Sequence, residues 1–341
     1  MVTLKEIAKE ARVSVMTVSN VVNGNLSKVS EENAKRIQKI IDERNYVPNL
    51  SARSLAKNNS NIIAIILRGD QNENLFESPH NAALVGVVIQ EVQQHDYYTM
   101  VNIVHTQDDI LHSIRTWNAG GAIFLGMFDN EINKICQSKE IPMVFIDSYS
   151  NNHCFSNVGI DDYKGGVIAA QHLLSRGHRK IAFVGPPPIH NGVIHHRFAG
   201  FCDELGKNGI PFNPHLQFIL ESDILPNDII ETGKKLADFD GVTAAFVTSD
   251  QIASYLIQGL RMRNKHVPED FSLVGFDNSN ISTHTTPQLT TIGQDVIQKG
   301  NKAVEILFKQ LKSPNSPVNS IVLDVELVER ESVGPPPTED S

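Results

Sequence analysis

The stretch TLKEIAKEARVSVMTVSNVVNG, residues 3–24, carries the clearest local fold signal in the chain. Thr3 and Glu6 have the spacing of a capping box, which predicts that a helix begins directly after Thr3. Ser14 is placed to cap a second helix, and Asn23-Gly24 is suited to end it in a left-handed conformation. Two short helices joined by so tight a turn are typical of a helix-turn-helix.

A third helix is predicted to complete this N-terminal unit. Ser30 is a favourable cap, and Glu31 and Glu32 suit the positive end of a helix dipole. An apolar stripe follows at helical spacing, formed by Ala34, Ile37, Ile40 and Ile41. We therefore expect a three-helix head within residues 1–60, although the periodicity alone also fits a generic three-helix bundle.

Charge is distributed unevenly along the chain. The protein has 341 residues and a net charge of −9, yet residues 1–60 contain ten Lys and Arg against six Asp and Glu. This asymmetry indicates a small basic module joined to an acidic body.

No apolar run approaches the ~20 residues of a transmembrane helix, and the N-terminus lacks the apolar segment of a signal peptide. Three scattered cysteines do not form a disulfide framework, so we expect a cytoplasmic protein without membrane association.

After residue 61, β-branched runs alternate with helical patterns, as in Ile62–Leu67, Lys180–Gly185 and Ser272–Phe276. Repeated βα units predict an α/β fold with doubly wound parallel sheets, and the length predicts two lobes. The last strand is predicted over Ile321–Val328. The predicted N-lobe spans residues 61–159 and 291–318, the C-lobe spans 160–290 and 319–331, and a disordered tail spans 332–341.

Several short motifs occur in a characteristic order in residues 1–60. They are Thr3-Leu4, Ile7-Ala8, Ala11, Val13-Ser14, Thr17-Val18-Ser19, Val22-Asn23, Tyr46, Pro48-Asn49, Ala52 and Leu55-Ala56. With these residues the chain resembles the lactose/galactose-repressor (LacI/GalR) family. The body is similar to that family's periplasmic-binding-protein-like domain at Arg197–Gly200, Ser249–Ala253, Val274–Asn278 and Leu289–Ile292. The resemblance implies a DNA-binding transcription regulator, by default a repressor, with a small-molecule effector such as a sugar between its lobes.

The resemblance also assigns roles in the head. Val15, Met16 and Asn20 would face the bases, Ser14, Thr17 and Ser19 would contact phosphates, and Lys28 would lie near the DNA backbone. Residues 49–57 would form a hinge helix, with Leu55 inserted into the minor groove. The remaining DNA-binding candidates are Thr3, Leu4, Asn23, Tyr46, Asn49, Ala52 and Arg53. Asn20 stands where the family usually has Arg, and Asn suits adenine, so we expect an A·T-leaning operator half-site.

Candidate effector residues lie at strand ends, where open α/β sheets bind ligands. Asp147, Ser249 and Asp277 each end a predicted strand, and the resemblance adds Arg197 and Gln294. Phe76 and His80, in the loop after the first strand, could contact a sugar ring. Ser249 departs from the Asn that is frequent in the family. The alternative for each residue is a capping role, which we favour for Asp161 and Asp250.

Other functional classes leave distinct sequence marks. The leading hypothesis is a homodimer on a pseudo-palindromic operator, with a phosphorylated protein as an alternative co-regulator. An enzyme on the same body would need a nucleophile elbow, a metal cluster or a cofactor loop, and the sequence contains none of these. We therefore predict no enzymatic activity, catalytic residue, metal or cofactor. A transport binding protein would not carry the basic head.

Overall fold

The structure is a computed structural model. It describes residues 2–46, 60–69, 74–116, 118–127, 132, 135, 141–149, 155–188, 192–221, 225–314 and 316–337. The hinge residues predicted to bind DNA, Asn49, Ala52, Arg53 and Leu55, lie outside these ranges. The chain divides into two compact units, residues 1–60 and 61–341. No helix among the described residues is long and apolar enough to cross a membrane.

The first unit is a bundle of three helices, α1 (Leu4–Ala11), α2 (Val15–Val22) and α3 (Glu31–Glu43). The capping box is present: the Thr3 hydroxyl accepts from the Glu6 amide at 3.3 Å, and the Glu6 carboxylate accepts from the Thr3 amide at 2.8 Å. Ser14 caps α2 by accepting from the Thr17 amide at 3.1 Å. Gly24, at φ 73°, takes the left-handed conformation after α2. The bundle core is formed by Ile7, Ala8, Ala11, Val18, Val21, Ile37 and Ile40.

The N-lobe of the second unit is built on one parallel sheet. Its elements in chain order are β1 (Ile62–Arg68), α4 (Pro79–Gln94), β2 (Tyr98–Val104), α5 (Gln107–Thr116), β3 (Gly121–Leu125), β4 (Met143–Ile146) and β5 (Ser156–Ile160). A later helix and strand, α11 (Val296–Lys312) and β11 (Ser320–Leu323), return to this lobe. The strand order is β11-β5-β4-β3-β1-β2, with every pairing parallel.

The C-lobe repeats this architecture. Its elements are α6 (Asp162–Ser175), β6 (Ile181–Gly185), α7 (Val193–Lys207), β7 (Gln217–Ile219), α8 (Pro226–Ala237), β8 (Ala244–Val247), α9 (Asp250–Arg261), β9 (Ser272–Asp277), α10 (Ile281–His284), β10 (Thr290–Gly293) and β12 (Glu326–Val328). The sheet order is β12-β10-β9-β8-β6-β7, and only β12 runs antiparallel to its neighbour in the described sheet. The predicted two-lobed α/β fold is confirmed.

The chain changes lobe later than predicted at two crossings. β10 pairs with β9 in the C-lobe, so the crossing to the N-lobe follows residue 293 rather than residue 290. The run predicted as one strand, Ile321–Val328, is divided at Asp324-Val325 into β11 in the N-lobe and β12 in the C-lobe. An apolar run does not reveal such a division, because both halves have strand propensity and only their partners differ.

Helices α6 and α7 touch at two glycines. A Cβ on Gly166 would lie 2.0 Å from the Arg197 carbonyl oxygen, and a Cβ on Gly200 would lie 2.0 Å from the Tyr163 carbonyl oxygen. The absence of side chains allows the two backbones to meet. This contact brings the start of α6, with Asp162, beside Arg197 on α7.

The predicted disordered tail is wrong for residues 332–337. The Ser332 hydroxyl donates to the Leu273 carbonyl at 2.6 Å, and the Gly334 amide donates to the Ser272 hydroxyl at 3.0 Å. Val333 is buried. The proline-rich composition suggested disorder, but this segment satisfies its backbone groups along the edge of β9. Residues 338–341 lie outside the described residues.

Candidate functional site

Helix α2 exposes two apolar side chains at its start. Val15 is 40% exposed and Met16 is 70% exposed, although both are large hydrophobic residues. Asn20 follows one turn after Met16 on the same helical face. Leu4 and Tyr46, also predicted to bind DNA, pack partly buried against the core of the head.

The other polar side chains of α2 and of its two caps form hydrogen bonds within the head. The Ser14 and Thr17 hydroxyls lie 2.9 Å apart, and the Asn23 amide donates to the Ser19 hydroxyl at 3.1 Å. Within the described part of the chain, the Asn20 carboxamide has no protein partner.

The described cations of the head divide into those that form an ion pair and those that do not, and Arg44, directly after α3, pairs with Glu10 at 2.9 Å. On α3, Lys35, Arg36 and Lys39 each lie within 4.0 Å of a glutamate one turn away. By contrast, no ion pair within the described residues involves the cations on α1, in the turn or in the loop after α2, namely Lys5, Lys9, Arg12 and Lys28. Among the described residues of the head, the cations without an ion pair therefore lie in segments that precede or follow α2 in the sequence.

The second unit contains a cavity of about 360 Å³ between its lobes. Five predicted effector residues line it: His80 and Asp147 from the N-lobe, and Arg197, Ser249 and Asp277 from the C-lobe. Gln294 lines a neighbouring open groove of about 800 Å³, which His80 and Asp277 also border. Phe76 is 41% exposed in the 3₁₀ turn Leu75–Glu77 and does not line either space.

Local structure explains how these side chains are presented. Ser78 caps α4 and places His80 in its first turn, and Ser249 caps α9 by accepting from the Ile252 amide at 3.2 Å. Asp147 and Asp277 end β4 and β9 at φ 52° and φ 106°. Positive φ is unfavourable for residues with a Cβ, and such strain concentrates at functional sites.

Arg197 is held rigidly on the C-lobe side. Its Nε donates to Asp162 Oδ1 at 2.7 Å, its Nη1 donates to the Thr248 carbonyl at 2.7 Å, and its guanidinium lies 3.4 Å from the centre of the Phe276 ring. Burial alone would lower the pKa of Arg197, but the Asp162 carboxylate, together with the charges of Asp277 and Asp147, raises it. The guanidinium is thus a permanent, positioned donor.

Lys299 is a functional candidate that the sequence interpretation missed. It is fully buried on α11, and its Nζ donates to Asp147 Oδ1 at 2.8 Å, to Asp147 Oδ2 at 2.7 Å and to Gln294 Oε1 at 2.6 Å. Gln294 Nε2 in turn donates to Asp277 Oδ1 at 2.7 Å. An unbroken series of hydrogen bonds therefore joins Asp147, after a strand of the N-lobe, to Asp277, at the end of a strand of the C-lobe. It runs through the segment where the chain crosses between the lobes, at residues 293–296.

The same pairing sets the ionisation of Asp147. Burial alone would raise its pKa, but the Lys299 ammonium and the His80 imidazole hold the pKa well below its usual range. A lysine at helical spacing from the buried Ala303 and Ile306 was the available sequence signal, because a charge on an apolar face is rarely left unpaired.

Asp162 and Tyr149 were also missed. A capping role is predicted for Asp250, but Ser249 caps α9 and the Asp250 carboxylate bonds to residues outside that helix. Tyr149 donates its hydroxyl to Asp162 Oδ2 at 2.5 Å, and its ring lies over His196 at 4.1 Å between centroids. Asp250 accepts from the Thr291 hydroxyl at 2.6 Å and the Ser279 amide at 2.7 Å. Burial and the nearby Asp277 charge raise the pKa of Asp250 to about 7.

Comparisons with known proteins match both units. A model described as bacterial regulatory proteins, lacI family, matches residues 3–49. One for periplasmic binding proteins and the sugar binding domain of the LacI family matches residues 63–226, and one for a periplasmic binding protein-like domain matches residues 170–333. Among curated relatives, catabolite control protein A of Streptococcus mutans is 30% identical over 96% of this chain and 97% of its own. The ribose operon repressor of Haemophilus influenzae is 28% identical over 98% and 99%.

Solved structures show the same architecture. The lac repressor dimer bound to operator and the anti-inducer ONPF has a TM-score of 0.84 at 25% identity, covering 98% of this chain and 99% of its own. A LacI family regulator from Enterococcus faecium with bound ribose has a TM-score of 0.70 at 25% identity, covering 80% and 99%.

A helix-turn-helix head joined to a two-lobed body with a polar interlobe cavity defines the class of ligand-responsive, DNA-binding transcription regulators. This chain belongs to the lacI family of bacterial regulatory proteins. The predicted family is confirmed.

Proposed function

We propose that this protein is a homodimeric transcriptional repressor of the cytoplasm, and that a small polyhydroxy effector in the interlobe cavity controls its affinity for a pseudo-palindromic operator. The observation that carries the proposal is that Arg197 and Asp277 line one cavity, in a chain whose head contains cations that form no ion pair among the described residues. The repressors and sugar-bound regulators among its relatives support the same conclusion.

The donor and acceptor pattern of the cavity suits sugar hydroxyls. Arg197 has used Nε and one hydrogen of Nη1 internally, so Nη2 remains to donate, while Asp277 accepts. His80 Nδ1 and Thr248 Oγ1 are buried polar atoms without a hydrogen-bond partner among the described residues, and both residues line the cavity. A hydroxylated ligand would satisfy these atoms, and leaving them unpaired costs free energy.

Charge favours neutral effectors over phosphorylated ones. Both cations at the cavity are already engaged, because Lys299 directs all three ammonium hydrogens to Asp147 and Gln294, and Arg197 pairs with Asp162. Asp277 forms no ion pair within the described residues, although its charge contributes to the raised pKa of Arg197. A phosphate group would therefore enter a region of surplus negative charge.

Effector binding would act on DNA affinity through the angle between the lobes. Cavity residues belong to both lobes, and Gln251 Nε2 on α9 already donates to the Glu77 carbonyl of the N-lobe at 3.0 Å. A ligand that binds one lobe arrangement more tightly shifts the population toward it. In a dimer this change alters the spacing of the two heads, which must match two operator half-sites.

The test is a thermal-shift screen of the full-length protein with D-ribose, cellobiose, other neutral sugars and the corresponding sugar phosphates. We expect a neutral sugar to raise Tm, with the rise abolished in Arg197→Ala and Asp277→Asn. Lys302→Met is the matched control, because Lys302 is an exposed residue of α11 that pairs only with Glu305 among the described residues. A rise that survives both cavity substitutions would contradict the proposed binding site.

A further inference from the structure

The exposed surface of α2 offers little hydrogen-bonding capacity. Its sequence is VMTVSNVV, which contains neither arginine nor lysine. The hydroxyls of Ser14, Thr17 and Ser19 have partners within the head, as does the Asn23 amide. Among the described residues of this helix, only Asn20 keeps a side chain whose donor and acceptor are both uncommitted.

Two apolar groups accompany that carboxamide. Met16, 70% exposed, and Val15, 40% exposed, lie in the first turn, the part of a recognition helix that meets base edges in the major groove. Exposing them costs free energy in the unbound protein, and contact with an apolar group on DNA would recover it. The thymine methyl is the apolar group that the major groove presents.

Cations border α2 instead of lying on it. Lys5, Lys9 and Arg12 precede the helix and Lys28 follows it, and none of them forms an ion pair within the described residues. Such side chains suit phosphates, which fix the position of the protein without carrying sequence information. Base discrimination on this surface therefore falls to Val15, Met16 and Asn20.

We propose that α2 recognises A·T pairs, with the Asn20 carboxamide bidentate to N6 and N7 of an adenine and with Met16 and Val15 against thymine methyls. The inference rests on the proposed function only in requiring that the head binds operator DNA. Guanine is usually contacted by the paired donors of Arg or Lys, which this helix lacks. A carboxamide presents its oxygen and its NH2 group side by side, which matches the donor and acceptor of adenine, whereas against O6 and N7 of guanine the oxygen would face an acceptor.

The experiment begins with selection of binding sites from random-sequence DNA by the full-length protein. We expect an inverted repeat whose half-sites contain an adenine and neighbouring thymines essential for binding. Replacing that adenine with 7-deazaadenine is expected to weaken wild-type binding roughly tenfold and to leave Asn20→Ala binding unchanged. Replacing the thymines with deoxyuridine, which removes only the methyl, is expected to weaken binding by wild type but not by the double variant Val15→Ala/Met16→Ala.

Two variants provide further discrimination. Asn20→Arg should change the base selected at its position from adenine to guanine, because Arg supplies the two donors that guanine requires. Lys28→Ala is the control, since loss of a phosphate contact should weaken all sequences uniformly and leave the selected motif unchanged. Thermal melting of each variant establishes that the head is folded.

The outcomes separate this inference from the proposed function. An essential guanine in each half-site whose contribution disappears in Asn20→Ala would overturn the inference while leaving DNA binding intact. A wild-type affinity that neither 7-deazaadenine nor deoxyuridine changes would also overturn the inference. Failure to enrich any sequence would contradict the proposed function itself.

Discussion

At the residue scale, Lys299 places an ammonium in the interior beside Asp147, 152 positions earlier in the chain. Removing both charges from water is costly, and the pair is tolerable because each ammonium hydrogen has an acceptor. Removing one partner of such a pair costs more stability than replacing both partners with uncharged residues. Comparing the stability of a variant that lacks one partner with that of a variant that lacks both therefore tests the hydrogen bonds that join Asp147 to Asp277.

Lys299→Met should lower the free energy of unfolding by roughly 3–5 kcal/mol, because Asp147 would be left buried without its partner. The double variant Asp147→Asn/Lys299→Met should recover much of that loss, since no unpaired charge remains. Chemical denaturation monitored by circular dichroism measures the free energy of unfolding of both variants. Lys302→Met, on the exposed face of the same helix, should change stability by no more than about 0.5 kcal/mol. Equal losses in the single and double variants would contradict this account.

His178 gives the body a defined pH dependence. It is 1% exposed, its Nδ1 lies 2.8 Å from the Thr243 hydroxyl, and its Nε2 lies 3.0 Å from the Gly334 carbonyl. Burial lowers its pKa, so the folded state holds the ring neutral where the unfolded chain takes up a proton. The contribution of His178 to the free energy of unfolding is therefore fully present above about pH 6.5, the ordinary pKa of histidine, and is lost as the pH decreases below that value.

Denaturation midpoints measured between about pH 8 and pH 5.5 test this contribution by comparing variants, because Asp250, whose pKa is raised to about 7, contributes a slope of opposite sign over the same range. His178→Asn should be less stable at high pH but should lose part of the slope, whereas His215→Asn, at an exposed position, should keep the full slope. His172 is a second buried histidine with a lowered pKa, so some slope will remain in the His178 variant. An unchanged slope in His178→Asn would mean that other groups account for the pH dependence.

At the element scale, the contact between α6 and α7 positions Arg197 against Asp162. Gly166→Ala should destabilise the protein by about 1–3 kcal/mol or more, because the added methyl would meet the α7 backbone. Gly206→Ala is the matched control on α7, since a Cβ there has no neighbour within 4 Å. That change should instead stabilise by about 0.5–1 kcal/mol through helix propensity. Thermal melting compares the two, and equal effects would contradict the close approach of the helices.

At the scale of the whole molecule, DNA binding depends on a basic head attached to an acidic body. Four cations form no ion pair within the described residues of each head, Lys5, Lys9, Arg12 and Lys28, and they provide up to eight phosphate contacts in a dimer. The logarithm of the operator affinity should then fall against log salt with a slope as steep as about −7. Lys28→Ala should make the slope shallower by about 2, as measured by fluorescence anisotropy with a selected operator. A slope near zero would rule out binding dominated by phosphates.

Much of this architecture was predictable from local patterns. The capping box at Thr3, the cap at Ser14, the apolar stripe of α3 and the alternation of strands with helices all depend on residues a few positions apart. The strand-end rule and the family resemblance identified Asp147, Arg197, Ser249 and Asp277 as cavity candidates. Their functional roles remain predictions until an effector is identified.

The folded chain alone decided which distant groups meet. Lys299 pairs with Asp147, Asp162 with Arg197, and the run from Ile321 to Val328 divides between two sheets. Local sequence does not distinguish Asp162 from any first-turn aspartate or the divided run from an ordinary strand. The apolar spacing around Lys299 indicates that it is buried but does not identify its partner. The partners come together only because the chain crosses between lobes, and a long-range contact depends on packing of the whole body rather than on local propensity.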